Sequence, residues 1–78
     1  MAAFPAMKWP QLKRVLERQP LGYRVTKQSG SHRTMESEGR PTLWLAFHDR
    51  AELPPGLVRK IMVKDIGLSE EDALELLR

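Results

Sequence analysis

The stretch Tyr23-Arg24-Val25-Thr26-Lys27-Gln28-Ser29-Gly30-Ser31-His32-Arg33-Thr34-Met35-Glu36-Ser37 decides the fold. Two runs of extended character, Tyr23 to Gln28 and His32 to Ser37, flank Ser29-Gly30-Ser31, whose small residues signal a turn. Two such runs joined by a short glycine turn read as an antiparallel hairpin. Successive side chains on a strand point to opposite faces, so Tyr23 and Val25 share one face and Met35 joins them from the second strand. After a further turn, Glu38-Gly39-Arg40-Pro41, the segment Thr42 to His48 reads as a third strand. There Leu43, Leu45 and Phe47 alternate with Thr42, Trp44, Ala46 and His48.

This alternation divides the sheet into two faces. Tyr23, Val25, Met35, Leu43, Leu45 and Phe47 form the face that helices cover. With a regular hairpin register, Arg24, Thr26, His32, Thr34, Trp44 and His48 form the other. Antiparallel sheets commonly leave one face wet, so His32 is expected to be open to a ligand. A slip of one residue would exchange the two faces.

Helices bracket the strands. Pro10 suits a first helical turn, where its missing N–H costs nothing, and Leu12, Val15 and Leu16 follow at i, i+3, i+4 spacing. Lys13, Arg14 and Arg18 fall largely off that stripe. Gln19-Pro20 ends the helix, because proline disfavours helical geometry in the residue before it. Leu21-Gly22 makes the corner into the first strand. Asp49 to Pro55 reads as a loop. Gly56 to Ile66 reads as the second main helix, with Leu57, Val58, Ile61, Met62 and Ile66 apolar and Gly67 placed just past its end. Lys60 and Lys64, four apart, project from one side, and Arg59 lies at the other border. Ser69 opens a short third helix as its cap, with Glu70, Glu71 and Asp72 at the positive end and Ala73, Leu74 and Leu77 facing the body. The class is therefore α+β: an antiparallel three-stranded sheet with helices on one face and a short extra C-terminal helix. Residues 9–78 are expected to form one domain behind a flexible leader, 1–8, with Met7 an alternative start to Met1.

Length and composition bound the function. Seventy-eight residues allow one small domain, and the absence of cysteine removes disulfides and thiolate metal sites and fits a reducing compartment. No apolar run approaches a membrane span, and Met1 to Met7, interrupted by Pro5, is too short for a signal peptide; a cytoplasmic protein with no membrane contact is the expectation. The net charge of +3 hides an asymmetry. Up to Arg33 the cations Lys8, Lys13, Arg14, Arg18, Arg24, Lys27 and Arg33 stand against Glu17 alone. From Ser69 onward Glu70, Glu71, Asp72 and Glu75 stand against Arg78. A basic front half points to a polyanion such as nucleic acid, or is simply a solvated surface.

The chemistry concentrates in Lys27-Gln28-Ser29-Gly30-Ser31-His32. A histidine is the side chain whose ordinary pKa places proton transfer near neutrality. Here it lies beside a permissive glycine turn and between Lys27 and Arg33, the makings of a phosphate-handling site. On the residues alone it is either a general acid or base, or a surface histidine at the start of a strand. No serine–histidine–carboxylate set and no metal cluster is readable, and His48-Asp49 suits a strand end better than a metal pair. Arg59, Lys60 and Lys64 fit phosphate contacts or the ordinary polar border of a helix. Trp44 on the open face fits a base-stacking surface, a protein contact, or packing under arginine stems.

The order helix, three strands, helix matches the double-stranded-RNA-binding-domain architecture. Several segments add to it: Gly22-Tyr23, Lys27 to His32, His48, Glu52-Leu53-Pro54-Pro55-Gly56-Leu57-Val58-Arg59-Lys60-Ile61 and Ile66-Gly67-Leu68-Ser69. Together, from about Pro10 to Leu77, the chain resembles the HicA (YcfA-like) family, small toxins of type II toxin–antitoxin pairs. The resemblance implies a double-stranded-RNA-binding-like α-β-β-β-α fold and an mRNA-cleaving endoribonuclease; with no metal cluster readable in the residues, the expected mechanism is metal-independent and without a cofactor. It places the essential histidine at His32, its supporting turn at Gly30 and Ser31, and the start of the second main helix at Gly56. It also implies a HicB-type antitoxin that masks the His32 surface. Lys27, Arg33, Arg59, Lys60 and Lys64 complete the expected RNA-binding set. Two departures stand out: Ala46 where the family often has proline before the strand-end histidine, and the six-residue leader. The other reading is an RNA-binding module without catalysis, or a pure protein-interaction domain.

Overall fold

The computed structural model describes residues 3–78 and confirms the expected α+β architecture, an order compatible with a double-stranded-RNA-binding-like domain. Strand β1 (Met7–Lys8) leads into helix α1 (Trp9–Glu17). Strands β2 (Arg24–Ser29), β3 (His32–Glu36) and β4 (Leu43–Ala46) follow. Then come β5 (Glu52–Leu53), α2 (Pro55–Arg59) continuing into a π-helical stretch over Lys60–Asp65, and α3 (Glu70–Leu77). The main sheet has the order β2-β3-β4, antiparallel throughout.

The core forms where the alternation and the helical stripes meet. Met35 and Leu43, directly opposite each other, are buried, as are Tyr23 and Leu45. Against them pack Trp9, Leu12 and Leu16 of α1, Val58 of α2, and Ile61 and Met62 of the π-helical stretch. The first helix starts one residue before Pro10, and the Lys8 backbone N–H donates to the Gln11 side chain at 2.9 Å. Gly67, with φ at +92°, turns the chain out of the second helical segment in a backbone region that side chains avoid. The Ser69 hydroxyl accepts from the Asp72 N–H at 3.1 Å and caps α3 as expected.

Four features differ from the sequence reading. The segment 1–8 was expected to fray; its residues 1 and 2 lie outside the described residues. Phe4, however, is buried, and Met7–Lys8 pairs antiparallel with Glu52–Leu53 in a second, two-stranded ladder. The same ladder gives the expected loop Asp49 to Pro55 a short strand. The third strand ends at Ala46 rather than His48, and Phe47 turns inward to pack on Trp9, ring centroids 5.2 Å apart. Finally, the second main helix widens from Lys60 onward. Ile66 N–H bonds to Ile61 carbonyl, five residues back, and this wider turn sets Lys60 against Asp65 in an ion pair of 3.1 Å.

Candidate functional site

The hairpin turn is tighter than its three small residues suggested. Ser29 pairs directly with His32, leaving Gly30-Ser31 as a two-residue loop. Gly30 has φ at +62°, while Ser31 does not enter the positive region, which matches the type II′ turn whose twist suits a hairpin. His32 is thus the first residue of a paired strand, opposite Ser29 on one side and Ala46 on the other. Its side chain is exposed on the uncovered sheet face, as the alternation required.

The register holds a feature that regular alternation missed. Between Val25 and Lys27 it shifts by one residue, a β-bulge at Thr26. A regular strand would have turned Lys27 inward. With the bulge, Lys27 faces Thr34, and Thr34 faces Trp44, so Lys27, Thr34 and Trp44 form one row across the open face. Thr26 stays on that face too, donating its hydroxyl to the Glu36 carboxylate at 2.6 Å. Lys27, Ser29, His32, Thr34, Trp44 and Ala46 consequently line one shallow cleft of about 420 Å³.

The other expected contacts divide. Lys60 and Lys64 line a second depression, of about 460 Å³, beside the β4 edge, and Trp44 forms a wall of both depressions. Arg59 is held away from them by a 2.8 Å ion pair to Glu70 that ties α2 to α3. Gly30 and Ser31 shape the turn beside the cleft without lining it.

Arg33 corrects the expectation most directly. Read as a phosphate contact beside His32, its side chain is buried on the opposite face. Strand alternation forces this once His32 points outward. The guanidinium donates to the Phe47 carbonyl at 2.6 Å and to Asp49 at 2.7 Å, and lies over the Trp9 ring 5.4 Å from its centroid. It therefore fastens the chain after β4 to the start of β3. His48, an expected member of the open face, sits exposed past the end of β4 and does not line the His32 cleft.

The cleft offers an imidazole, an ammonium group, two hydroxyls (Ser29 and Thr34) and an indole face. Protonatable nitrogen and fixed positive charge at this spacing can accept or donate a proton beside a phosphate and offset its charge. No acidic side chain lines it. Among the described residues, no group of three or more histidine, aspartate or glutamate side chains gathers, and no helix is long and apolar enough to cross a membrane.

No curated protein and no solved structure matches this chain. A sequence model of one family, described as the HicA toxin of bacterial toxin-antitoxin, matches residues 9–68, from the first residue of α1 to the residue before the α3 cap. That span takes in the hairpin, the His32 cleft and both lysines beside Trp44, and it covers most of the sequence: the chain belongs to the HicA toxin family.

Proposed function

We propose that this toxin is an endoribonuclease that cuts mRNA without a metal ion and so blocks translation, with His32 as its acid–base group. The observation that carries the reading is the convergence of Lys27 and His32 on one open cleft through the Thr26 bulge. In the reaction the 2′-oxygen of the substrate attacks the adjacent phosphorus and the bond to the 5′-oxygen breaks. This leaves a 2′,3′-cyclic phosphate and a 5′-hydroxyl. His32 takes the proton from the 2′-hydroxyl or delivers one to the departing 5′-oxygen, and water carries the other of these two protons. A positioned histidine contributes roughly 10²–10⁴-fold. Lys27 offsets charge on the phosphate, and Lys60 and Lys64 hold the strand further along. Arg33 acts through the backbone that it fastens rather than by touching RNA.

Family membership implies a cognate antitoxin. On this reading it is of the HicB type, and it covers the His32 face in the cytoplasm where both proteins work.

The test incubates purified protein with RNA in EDTA beside a His32→Ala variant. Cleavage by the parent alone, with RNA retention by both, supports the nuclease. Equal behaviour of the two proteins refutes His32 catalysis and leaves an RNA-binding module, while loss of cleavage in EDTA refutes metal independence.

A further inference from the structure

Trp44 is the one large apolar side chain exposed among the described residues, with 76% of its surface accessible. An isolated exposed apolar residue is ordinary on a protein surface. Its surroundings here are not. On one side, across Thr34, stands Lys27, and His32 lies diagonally from Trp44 on the central strand between them. On the other side, in the second depression, stand Lys60 and Lys64. Lys27 and Lys64 form no ion pair among the described residues. The indole is thus a flat aromatic surface midway along a cationic path that ends at the proposed acid–base group.

That pattern selects between the possible occupants. The centre of a protein–protein contact is depleted in charge and rich in apolar neighbours. Around Trp44 the two depressions bring Lys27, Lys60 and Lys64 and the hydroxyls of Thr34 and Thr42 against a single carboxylate, Asp65, which is paired to Lys60, a balance of charge that suits a polyanion. Aromatic side chains interleaved with cations are how proteins hold single-stranded nucleic acid, since every base has a stackable face and the cations follow the backbone. A duplex cannot use such a surface, because its base faces are already stacked.

We infer that Trp44 is a base-stacking platform that makes single-stranded or looped RNA, rather than duplex, the ligand of this face. One base stacks on the indole, the backbone on one side lies along Lys60 and Lys64, and on the other side it passes Lys27 and enters the His32 cleft. Trp44 is a specificity-determining residue that positions the phosphate for His32. The inference rests on the nuclease reading for its purpose but not for its test, which measures binding without cleavage.

The test uses the His32→Ala protein, so that RNA survives, with a short unstructured RNA and a duplex of the same sequence as probes. With excitation on the red side of the indole band, where the Tyr23 phenol does not absorb, only Trp9 and Trp44 emit, and Trp9 is buried, so the single strand is expected to quench emission through Trp44. Adding Trp44→Ala should weaken single-strand binding roughly tenfold or more and leave duplex binding within about twofold, while Trp44→Phe keeps most of the affinity. Single-strand binding unchanged in the alanine variant, equal weakening for the duplex, or absent quenching overturns the platform. Trp44→Ala with intact RNA binding but lost antitoxin binding also overturns it and assigns the indole to a protein contact. If the parent cuts no RNA yet the stacking pattern appears, the nuclease reading fails and the platform stands. If the parent cuts RNA and Trp44→Ala cuts it with unchanged KM, the platform alone falls.

Discussion

Replacing Arg33 by methionine keeps most of the buried volume and removes the charge, which isolates the guanidinium's role. Four interactions are lost, the weakest a long 3.5 Å bond from the guanidinium to the Ser31 carbonyl. The bond from a charged donor to the Phe47 carbonyl at 2.6 Å is worth about 1.5–3 kcal/mol. The contact over the Trp9 ring adds about 0.5–2 kcal/mol. The Asp49 bond adds at most about 1 kcal/mol, because that carboxylate is 85% exposed and screened by water. Against them stands the desolvation of the guanidinium, several kcal/mol that the parent bears and a methionine does not. The orphaned Phe47 carbonyl decides the balance, for an acceptor left unpaired costs about 1–3 kcal/mol. We expect a net loss near 2 kcal/mol, which in a domain this small lowers Tm by roughly 8–16 °C. Thermal and urea unfolding of Arg33→Met measure it. Asp49→Asn should cost under about 1 kcal/mol, since only the screened end of the network changes. An Arg33→Met protein within about 0.5 kcal/mol of the parent would refute the idea that this buried cation fastens the chain after β4.

Two further outcomes follow from the fold. Burial pushes the Tyr23 phenol above its ordinary value of 10.0, with Arg40 pulling it down less strongly. The folded state therefore keeps the proton longer than the unfolded chain, and the associated stability, full below pH 10.0, is lost as pH rises from there through the folded pKa. Tyr23 is the chain's one tyrosine, so tyrosinate absorbance in folded and urea-unfolded protein reads the two midpoints directly, and coincident midpoints would contradict the reasoning. Ser69→Ala removes the 3.1 Å cap and should cost about 1 kcal/mol, seen as faster amide exchange across Glu70–Leu77 with β2 and β3 unchanged.

The parts of the fold set by periodicity were legible. Leu43 and Leu45 against Trp44, and Leu12, Val15 and Leu16 on α1, are local patterns that a buried face requires, and they placed His32 outward correctly. The same logic turns Arg33 inward, but its charge and its position beside His32 suggested a phosphate contact instead. What alternation could have flagged is that two adjacent residues of a regularly paired strand, such as His32 and Arg33, cannot both line one face. The Thr26 bulge had no such signature, because a bulge is decided by how two strands settle over a common core, not by the residues of one. For the same reason β1 and β5, two residues each, lie below the length at which any period shows, and the burial of Phe4 depends on where the body of the domain happens to be. The widening at Lys60 is equally silent, since the apolar positions Ile61, Met62 and Ile66 satisfy either helical pitch. At the proposed site, the glycine turn and the outward placement of His32 were readable and Lys27 was named beside it; that Lys27 reaches the same face only through the bulge, and that Arg33 does not, was not.

His32 begins a strand hydrogen-bonded on both sides, and its side chain is already exposed on the open face. On the proposed reading the free protein is thus armed from the moment it folds. No rearrangement of the hairpin is needed for the imidazole to meet a ligand, since His32 is exposed as the strand stands. Restraint then depends on occupancy: enough partner to keep every copy of the face covered. The dose ratio of antitoxin to toxin, rather than any change within the toxin, becomes the quantity that a cell must regulate.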